Sequence, residues 1–264
     1  MELELKKECL DTYELGEPQA LTQEETAETI VPDYCPDIAR IISAEGVVCL
    51  HGSAEQDSVT GTVRVTVLYT PENESGVRAL EFAMPFSAQG EGLAGCAHVV
   101  VETEIELLES RMLNPRKIFT RCKLVTHLAG CRKVCLTISS DAETDPALLV
   151  EKRCCGQTVS LLRQVAEKDL TFSETMSLSL GREGAAELLH CRANGIVTET
   201  KAIGNKLIFK GVFLVSVLYR TTGGQLASAS AELPFSQIME TDSAEENTQV
   251  SMRLRITGTD IQID

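Results

Sequence analysis

The chain carries ten cysteines, and their spacing limits the chemistry that they could perform. A structural zinc site draws paired ligands from motifs such as C-x-x-C, and a thioredoxin-like redox site uses one such motif. This sequence has no C-x-x-C motif, and its closest approaches are Cys131 with Cys135 and the adjacent Cys154 and Cys155. A cysteine-based metal or redox protein is therefore the third of three functions considered, and each cysteine taken alone is most simply a small buried apolar residue.

As a set, the cysteines fit disulfide cross-linking in an oxidising final location better than they fit a metal site. Cys9 lies near a terminus, and Cys154 and Cys155 lie beside an expected linker, where chains are most exposed. Adjacent cysteines rarely bridge each other, because the geometry strains the peptide between them. We therefore expect Cys9, Cys154 and Cys155 to form disulfides between subunits, and we expect Cys49 and Cys122, which fall within predicted strands, to be buried thiols.

Other catalytic chemistry lacks a recognisable set of residues. The four histidines stand singly in strand-like or loop contexts, and the chain has no G-x-S-x-G, P-loop or H-E-x-x-H motif. Carboxylates are plentiful but follow surface patterns. The sequence therefore predicts that the protein is not an enzyme and needs neither a metal nor an organic cofactor.

Charge and hydropathy exclude two classes of partner. The formal net charge of −15 argues against nucleic acid and anionic membranes, because their phosphates would be repelled. No run of about 18 apolar residues is present, as a membrane-spanning helix would require. The N-terminal residues have no apolar core typical of a signal peptide, so we expect synthesis in a cytoplasm.

One stretch of the sequence occurs twice. Gly61–Ser87 and Gly211–Ser236 both contain a glycine, an alternating β-branched run ending in Val-Leu-Tyr, a turn, a second alternating run and Pro-Phe-Ser. This self-match predicts two tandem units, residues 1–146 and 147–264, joined by the polar stretch Ser139–Pro146.

Period-2 alternation dominates both units and predicts an all-β fold of two β-sandwich-like repeats. One short helix is expected near the start of each repeat, at Ile38–Ser43, where three isoleucines share a helical face, and at Ala185–His190. Residues 159–168 are a weaker helix candidate. Strands are predicted at about 118–128 and 131–138 in repeat 1, and repeat 2 ends at Asp264 without counterparts of them.

Two equivalent strands carry opposite charges on their outward faces. Glu102, Glu104 and Glu106 alternate with apolar residues in repeat 1, while Arg253 and Arg255 do so in repeat 2. This reversal predicts a subunit interface in which repeat 1 of one molecule meets repeat 2 of the next. A contact between unlike surfaces propagates into rings, layers or filaments. The sheet of repeat 2, two strands short, would be completed by a strand of another chain.

Several motifs together resemble the SPOCS domain family of sporulating Clostridia and their relatives. They are LKKECLDTYEL, VPDYCPDIARII, the G-x-V-x-V-x-V-L-Y strand with its PFS partner, and LNPRKI at residues 113–118. They cover most of repeat 1, and repeat 2 matches more weakly. The resemblance implies a β-rich fold, a location in the spore coat or exosporium, and no catalytic residues. SipL-like adaptors of this family carry a LysM docking domain, which this chain lacks.

The sequence thus favours a structural protein of the spore surface that is made in the mother-cell cytoplasm. It is expected to self-assemble into a layer or filament that disulfides stabilise, in company with other coat proteins. The alternative is a monomeric coat interaction or adaptor module that docks on another coat protein. The size of the purified protein with and without reductant distinguishes these two functions.

Overall fold

A computed structural model shows ten β-strands and describes residues 4–51, 58–143, 151, 153, 155, 156, 158–174, 184–241 and 248–261. The strands are β1 (Glu4–Leu15), β2 (Gln19–Ile30), β3 (Ile38–Leu50), β4 (Ser58–Pro71), β5 (Arg78–Gln89), β6 (His98–Asn114), β7 (Lys117–Glu143), β8 (Ala185–Ile203), β9 (Lys206–Thr221) and β10 (Leu226–Glu240). The described residues form no helix, which confirms the all-β class.

Sheet A is built on β7, a single strand of 27 residues. β1 pairs with its C-terminal part, from Cys131 to Glu143, and β2 pairs with its N-terminal part, from Lys117 to Leu128. β6 pairs with residues 117–131 of the same strand. All three ladders are antiparallel, so one strand satisfies the backbone hydrogen bonds of three others.

Sheet B, formed by β3, β4 and β5 in the order β3-β4-β5, packs face to face on sheet A. Every second side chain of β4 points into the interface, and Val63, Val67 and Tyr69 are fully buried there. They meet the inward row of β7, in which Ile118 and Leu124 are also fully buried. The sandwich core is mainly aliphatic, with Tyr69 and Phe86 as its buried aromatic residues.

The two predicted short helices are wrong, because both segments are the first residues of strands. The register of β3 against β4 shifts between Ile38 and Arg40 and again between Ile41 and Ser43. β8 shifts at the equivalent places, between Ala185 and Glu187 and between Leu188 and His190. Each β-bulge adds a residue to the strand and turns the side chains that follow it to the other face. Two bulges three residues apart therefore imitate the spacing of a helical face. Residues 159–168 are not helical either.

Other predicted boundaries also shift. The strands predicted at 118–128 and 131–138 are one strand, and Ser139–Glu143 of the expected linker continues it. The alternating segment Val250–Ile256 has half-buried apolar residues, as predicted, but it belongs to no sheet of the described chain.

Sheet C is formed by β8, β9 and β10 in the order β10-β9-β8, so its strands follow one another as those of sheet B do. Both sheets contain the same close packing of a glycine and a phenylalanine. A Cβ atom on Gly61 would lie 2.6 Å from Cε1 of Phe86, and one on Gly211 would lie 2.6 Å from Cζ of Phe235. The division into units 1–146 and 147–264 stays a prediction.

We predict that Gly211→Ala destabilises the protein by about 1–3 kcal/mol, because the added methyl group overpacks the Phe235 ring and the facing backbone. The free energy of unfolding in urea measures the change. Gly156→Ala is the matched control, since no atom lies within 4 Å of the added methyl group there. Equal stability of the two variants would contradict the packing argument.

Candidate interaction surfaces and cysteines

Arg116 joins two segments that are far apart in the sequence. It lies in the turn between β6 and β7, and its guanidinium group donates hydrogen bonds to the loop between β2 and β3. The Nη1 atom bonds the carbonyl of Cys35 at 2.7 Å and the carboxylate of Asp37 at 3.0 Å. The Nη2 atom bonds the carbonyl of Val31 at 2.9 Å and the carboxylate of Asp33 at 3.2 Å. The motifs VPDYCPD and LNPRKI, which the sequence shows separately, are therefore the two sides of one contact.

The loop between β2 and β3 has backbone as well as side-chain contacts with this turn. Residues 31–37 include Pro32 and Pro36, which have no N–H, and the N–H of Val31 donates a hydrogen bond to the carbonyl of Arg116 at 2.9 Å. The planar guanidinium group supplies several further donors in a rigid arrangement. Sequence reasoning noticed the motif but assigned no role to Arg116, because neither motif alone shows its partner.

We predict that Arg116→Lys lowers the free energy of unfolding by about 1.5–3 kcal/mol, the range for hydrogen bonds to charged groups. Lysine keeps the charge but cannot bond two carbonyls and two carboxylates in one plane. Urea denaturation measures the loss, and Arg40→Lys, on the exposed side of β3, is the control. A loss no larger than that of the control would show that Arg116 does not fix the loop.

β1 and the C-terminal part of β7 form a two-stranded ribbon, defined here as Glu4–Leu15 paired with Cys131–Glu143. Cys9 and Cys135 form a disulfide in this ribbon, with their Cα atoms 5.6 Å apart. The register places Cys9 opposite Thr137 and Cys135 opposite Asp11, so the two cysteines are diagonal neighbours on one face. Cys9 therefore bonds within the chain, which differs from the disulfide between subunits expected from the sequence.

The remaining predicted cross-linking cysteines have different surroundings. Cys155 is exposed and free, whereas Cys154 lies outside the described residues. Cys49 and Cys122 are buried free thiols, which confirms the prediction for both. Burial, together with the nearby carboxylate of Glu25, raises the pKa of Cys122 to about 11. Burial likewise raises the pKa of Cys49.

We predict that Cys155 reacts with a thiol reagent at pH 8 in the folded, reduced Cys154→Ser protein, while Cys122 does not. A thiol with a pKa near 11 is roughly one-thousandth ionised at pH 8, and only the thiolate is the nucleophile. Mass spectrometry of the alkylated peptides measures the two rates. The same protein in denaturant is the control, where both cysteines should react alike. Rapid native labelling of Cys122 would contradict its burial.

The two halves of the chain meet through ion pairs between sheet B and sheet C. The carboxylate of Glu45 accepts a hydrogen bond from Nη2 of Arg192 at 2.6 Å and another from Nε2 of His190 at 3.1 Å. Burial alone would raise the pKa of Glu45, but Arg192 and His190 together outweigh it and lower the pKa. Glu187 pairs with both Arg78, at 3.2 Å, and Arg220, at 2.7 Å.

Residues 250–261 lie beside this junction. Leu254 lies where a Cβ atom on Gly195 of β8 would point, just as Ile105 of β6 lies against Gly46 of β3. The carbonyl of Thr257 accepts a hydrogen bond from the thiol of Cys49, on sheet B. In the described part of the chain, residues 250–261 make no backbone–backbone hydrogen bond. The segment therefore packs as the counterpart of β6 but lacks a paired strand.

The charge rows predicted as a subunit interface meet partly within one chain. Arg253 forms an ion pair with Glu102, and Nη2 of Arg255 lies 3.4 Å from the carbonyl of Val101. Glu106 pairs with Lys123 of β7 at 2.9 Å. Glu104 belongs to the same strand, opposite Val125 of β7. A contact of these rows between two chains stays a prediction.

One face of sheet C is less covered than its counterpart in sheet B. Val63 and Val65 of β4 are 0% and 1% exposed, whereas Phe213 and Val215, which occupy the same places in β9, are only half-buried. Phe172 and Leu254 reach this face, with the rings of Phe172 and Phe213 centred 5.1 Å apart. Among the described residues, no strand covers it as β7 covers sheet B. We call it the open face of sheet C.

Comparison with known proteins matches the C-terminal part of the chain to a family model. A family model described as "SipL, SPOCS domain" matches residues 185–264, which comprise sheet C and the segment after it. The matched region is the half in which the sequence motifs are weaker. No curated protein and no solved structure matches the chain. The described residues hold no helix long and apolar enough to cross a membrane and no cluster of three metal-ligating side chains.

Proposed function

We propose that the chain is a structural protein of the spore surface, in the coat or exosporium, that self-associates into a layer or filament, because residues 185–264 match a family model of the SPOCS domain. Disulfides formed after the mother cell lyses would stabilise the layer. No catalytic step and no cofactor form part of this proposal.

The open face of sheet C is the observation that carries the proposal. In the N-terminal half, the equivalent face is sealed by β7, and its valines lose all contact with water. Phe213 and Val215 keep part of their surface exposed, and burying such side chains is worth about 25 cal/mol per Å². A neighbouring molecule that covers this face would recover that free energy. We propose that a surface of the neighbour's N-terminal half covers this face, so that the contact joins unlike surfaces and propagates.

Charge supports the same arrangement. Residues 1–146 hold 12 Lys and Arg against 25 Asp and Glu, a net charge of −13, while residues 147–264 have a net charge of −2. Two N-terminal halves repel each other over a long range more strongly than an N-terminal half repels a C-terminal half. The ion pairs themselves lie at the surface and contribute only about 0–1 kcal/mol each, so charge selects the partner surface while apolar burial stabilises it.

The proposal predicts large ordered assemblies of the purified chain in negative-stain electron microscopy, and Phe213→Ser together with Val215→Ser should abolish them. Val212→Ser together with Leu214→Ser, on the other face of the same strand, is the matched control. Light scattering, with and without reductant, measures particle mass. A monomer of the wild-type chain at all concentrations would support the adaptor module instead.

A mixing experiment decides whether the charge rows act within a chain or between chains. Arg253→Glu should weaken the pairing with Glu102, and Glu102→Arg should do the same. If the pairing acts only within a chain, the double variant restores stability, and mixing the two single variants restores nothing. Recovery of assembly on mixing the single variants requires a contact between chains. Denaturation and light scattering of the three samples give both readouts.

A further inference from the structure

The ribbon has one outer edge on β1 and one on β7, and no other strand of the described residues pairs with either. The hydrogen bonds around the ribbon show which residues form the edge on β7. Gly16 donates its N–H to the carbonyl of Gly130 at 2.8 Å, so the backbone N–H and C=O groups of even-numbered residues of β7 point toward β1. Ala97 donates its N–H to the carbonyl of Cys131 at 2.8 Å, so the backbone groups of odd-numbered residues point to the opposite edge, where β6 pairs with residues 117–131. Tyr13 agrees, because its N–H turns away from β7 to the carbonyl of Leu162 at 2.8 Å.

β6 begins opposite Cys131, and no strand of the described residues pairs with this edge of β7 from residue 133 to residue 137. The backbone N–H and C=O groups of Lys133, Cys135 and Thr137 point outward there, and no described strand pairs with them. Natural proteins protect such edges with proline, short strands or charges. This edge has no proline from residue 132 to residue 143, and Lys133 is the one charged residue among the three. The edge is therefore available for strand pairing.

The side chains of this edge strand form an apolar row that is open to water. The row consists of Val134, Leu136 and Ile138. These side chains lie on the same face of β7 that, in the N-terminal part of the strand, packs in the sandwich core. Leu136 is 43% exposed and Ile138 is 38% exposed, because sheet B does not extend over the ribbon. An isolated two-stranded ribbon is marginally stable in water, and added strands with a shared apolar face stabilise it.

We propose that this edge pairs with the same edge of a second copy of the chain. An antiparallel pairing centred on Leu136 places Leu136 opposite Leu136 of the second copy and places Val134 opposite its Ile138. All three residues of the row are apolar and of similar size. In this antiparallel pairing each of them therefore lies opposite an apolar residue of the second copy. The outward N–H and C=O groups of Cys135 and Thr137 then bond each other across the two-fold axis. The result is a four-stranded sheet with β7 strands at its centre.

A second copy is favoured over an unrelated strand because the register follows from this sequence alone. Shifting the pairing by two residues in either direction leaves an apolar residue opposite Ser140 or opposite Arg132. A one-residue shift would place apolar residues opposite Lys133 and Thr137 and would turn half of the backbone groups away from each other. One register therefore satisfies both the backbone and the apolar face.

The contact deepens the proposed self-association, on which it rests for its biological setting. It is isologous and closes after two chains, whereas covering the open face of sheet C propagates. It brings two N-terminal halves of like net charge together, so the backbone pairing and the apolar row must offset their long-range repulsion. Together, a closing contact and a propagating contact can generate a layer rather than a single filament. The two contacts use different segments of the chain, β7 and β9, so each can be removed while the other stays intact.

The test uses proline on the unpaired edge. Thr137→Pro removes an N–H that points away from β1, so the ladder of the ribbon keeps its hydrogen bonds while pairing with a second copy is blocked. In the assembly-deficient Phe213→Ser, Val215→Ser background, sedimentation should show a dimer that Thr137→Pro converts to a monomer. Thr137→Ser is the matched control and should stay dimeric. A dimer that persists with proline at this position overturns the proposal.

A second measurement covers the case in which the proline variant fails to fold. Leu136→Cys should form a disulfide with itself in a second copy, because directly opposite residues at a non-hydrogen-bonded position have Cα atoms about 4.5 Å apart. Val134→Cys alone should not, but mixing it with Ile138→Cys should give the mixed disulfide. Mass spectrometry identifies the linked peptides. A disulfide from position 136 to any other segment, or the absence of any disulfide, would contradict the proposed self-pairing. Large wild-type assemblies with no such link would leave the proposed function standing.

Discussion

The whole N-terminal half depends on the backbone pairing of β7. Twenty-seven residues of continuous strand provide the hydrogen bonds of β1, β2 and β6, and its inward row supplies the core against sheet B. Backbone groups that are removed from water must be paired, so none of the three neighbouring strands could keep its place without this one. The same length has a second effect. Because β6 pairs only as far as Cys131, β7 reaches beyond the sandwich and exposes an edge and an apolar row.

The contacts of Arg116 complement this backbone framework. The guanidinium group from the turn before β7 bonds the carbonyls of Val31 and Cys35, in addition to the backbone hydrogen bonds from Val31 and Ile38 to the same turn. The turn that begins β7 thus also holds the entry into β3. In the N-terminal half, β7 covers the apolar face of sheet B, and the side chain of Arg116 holds the loop at one end of the sandwich.

The C-terminal half repeats local packing contacts of the N-terminal half, but in the described chain no strand covers sheet C as β7 covers sheet B. Its glycine and phenylalanine pack as in sheet B, and Leu254 lies over Gly195 as Ile105 lies over Gly46. The described chain nevertheless provides no strand that lies where β7 does. This difference turns a surface that is core in one half into a half-exposed face in the other. A structural role fits such a molecule, because its unsatisfied surfaces are apolar faces and strand edges that another chain can cover.

The sequence by itself determined the strand class, the duplicated hairpin and the buried cysteines, since alternation and β-branched residues act locally and need no partner to be recognised. Only the tertiary structure decided that Ile38–Ser43 is bulged strand, because a bulge is defined by the partner strand and leaves a helix-like spacing in the sequence. Pairing was likewise invisible in the sequence. Cys9 meets Cys135 across a separation of 126 residues, and Glu102 meets Arg253 at the junction of the two halves. Such contacts depend on register and on how the sheets stack, and neither is written in the spacing of residues along the chain.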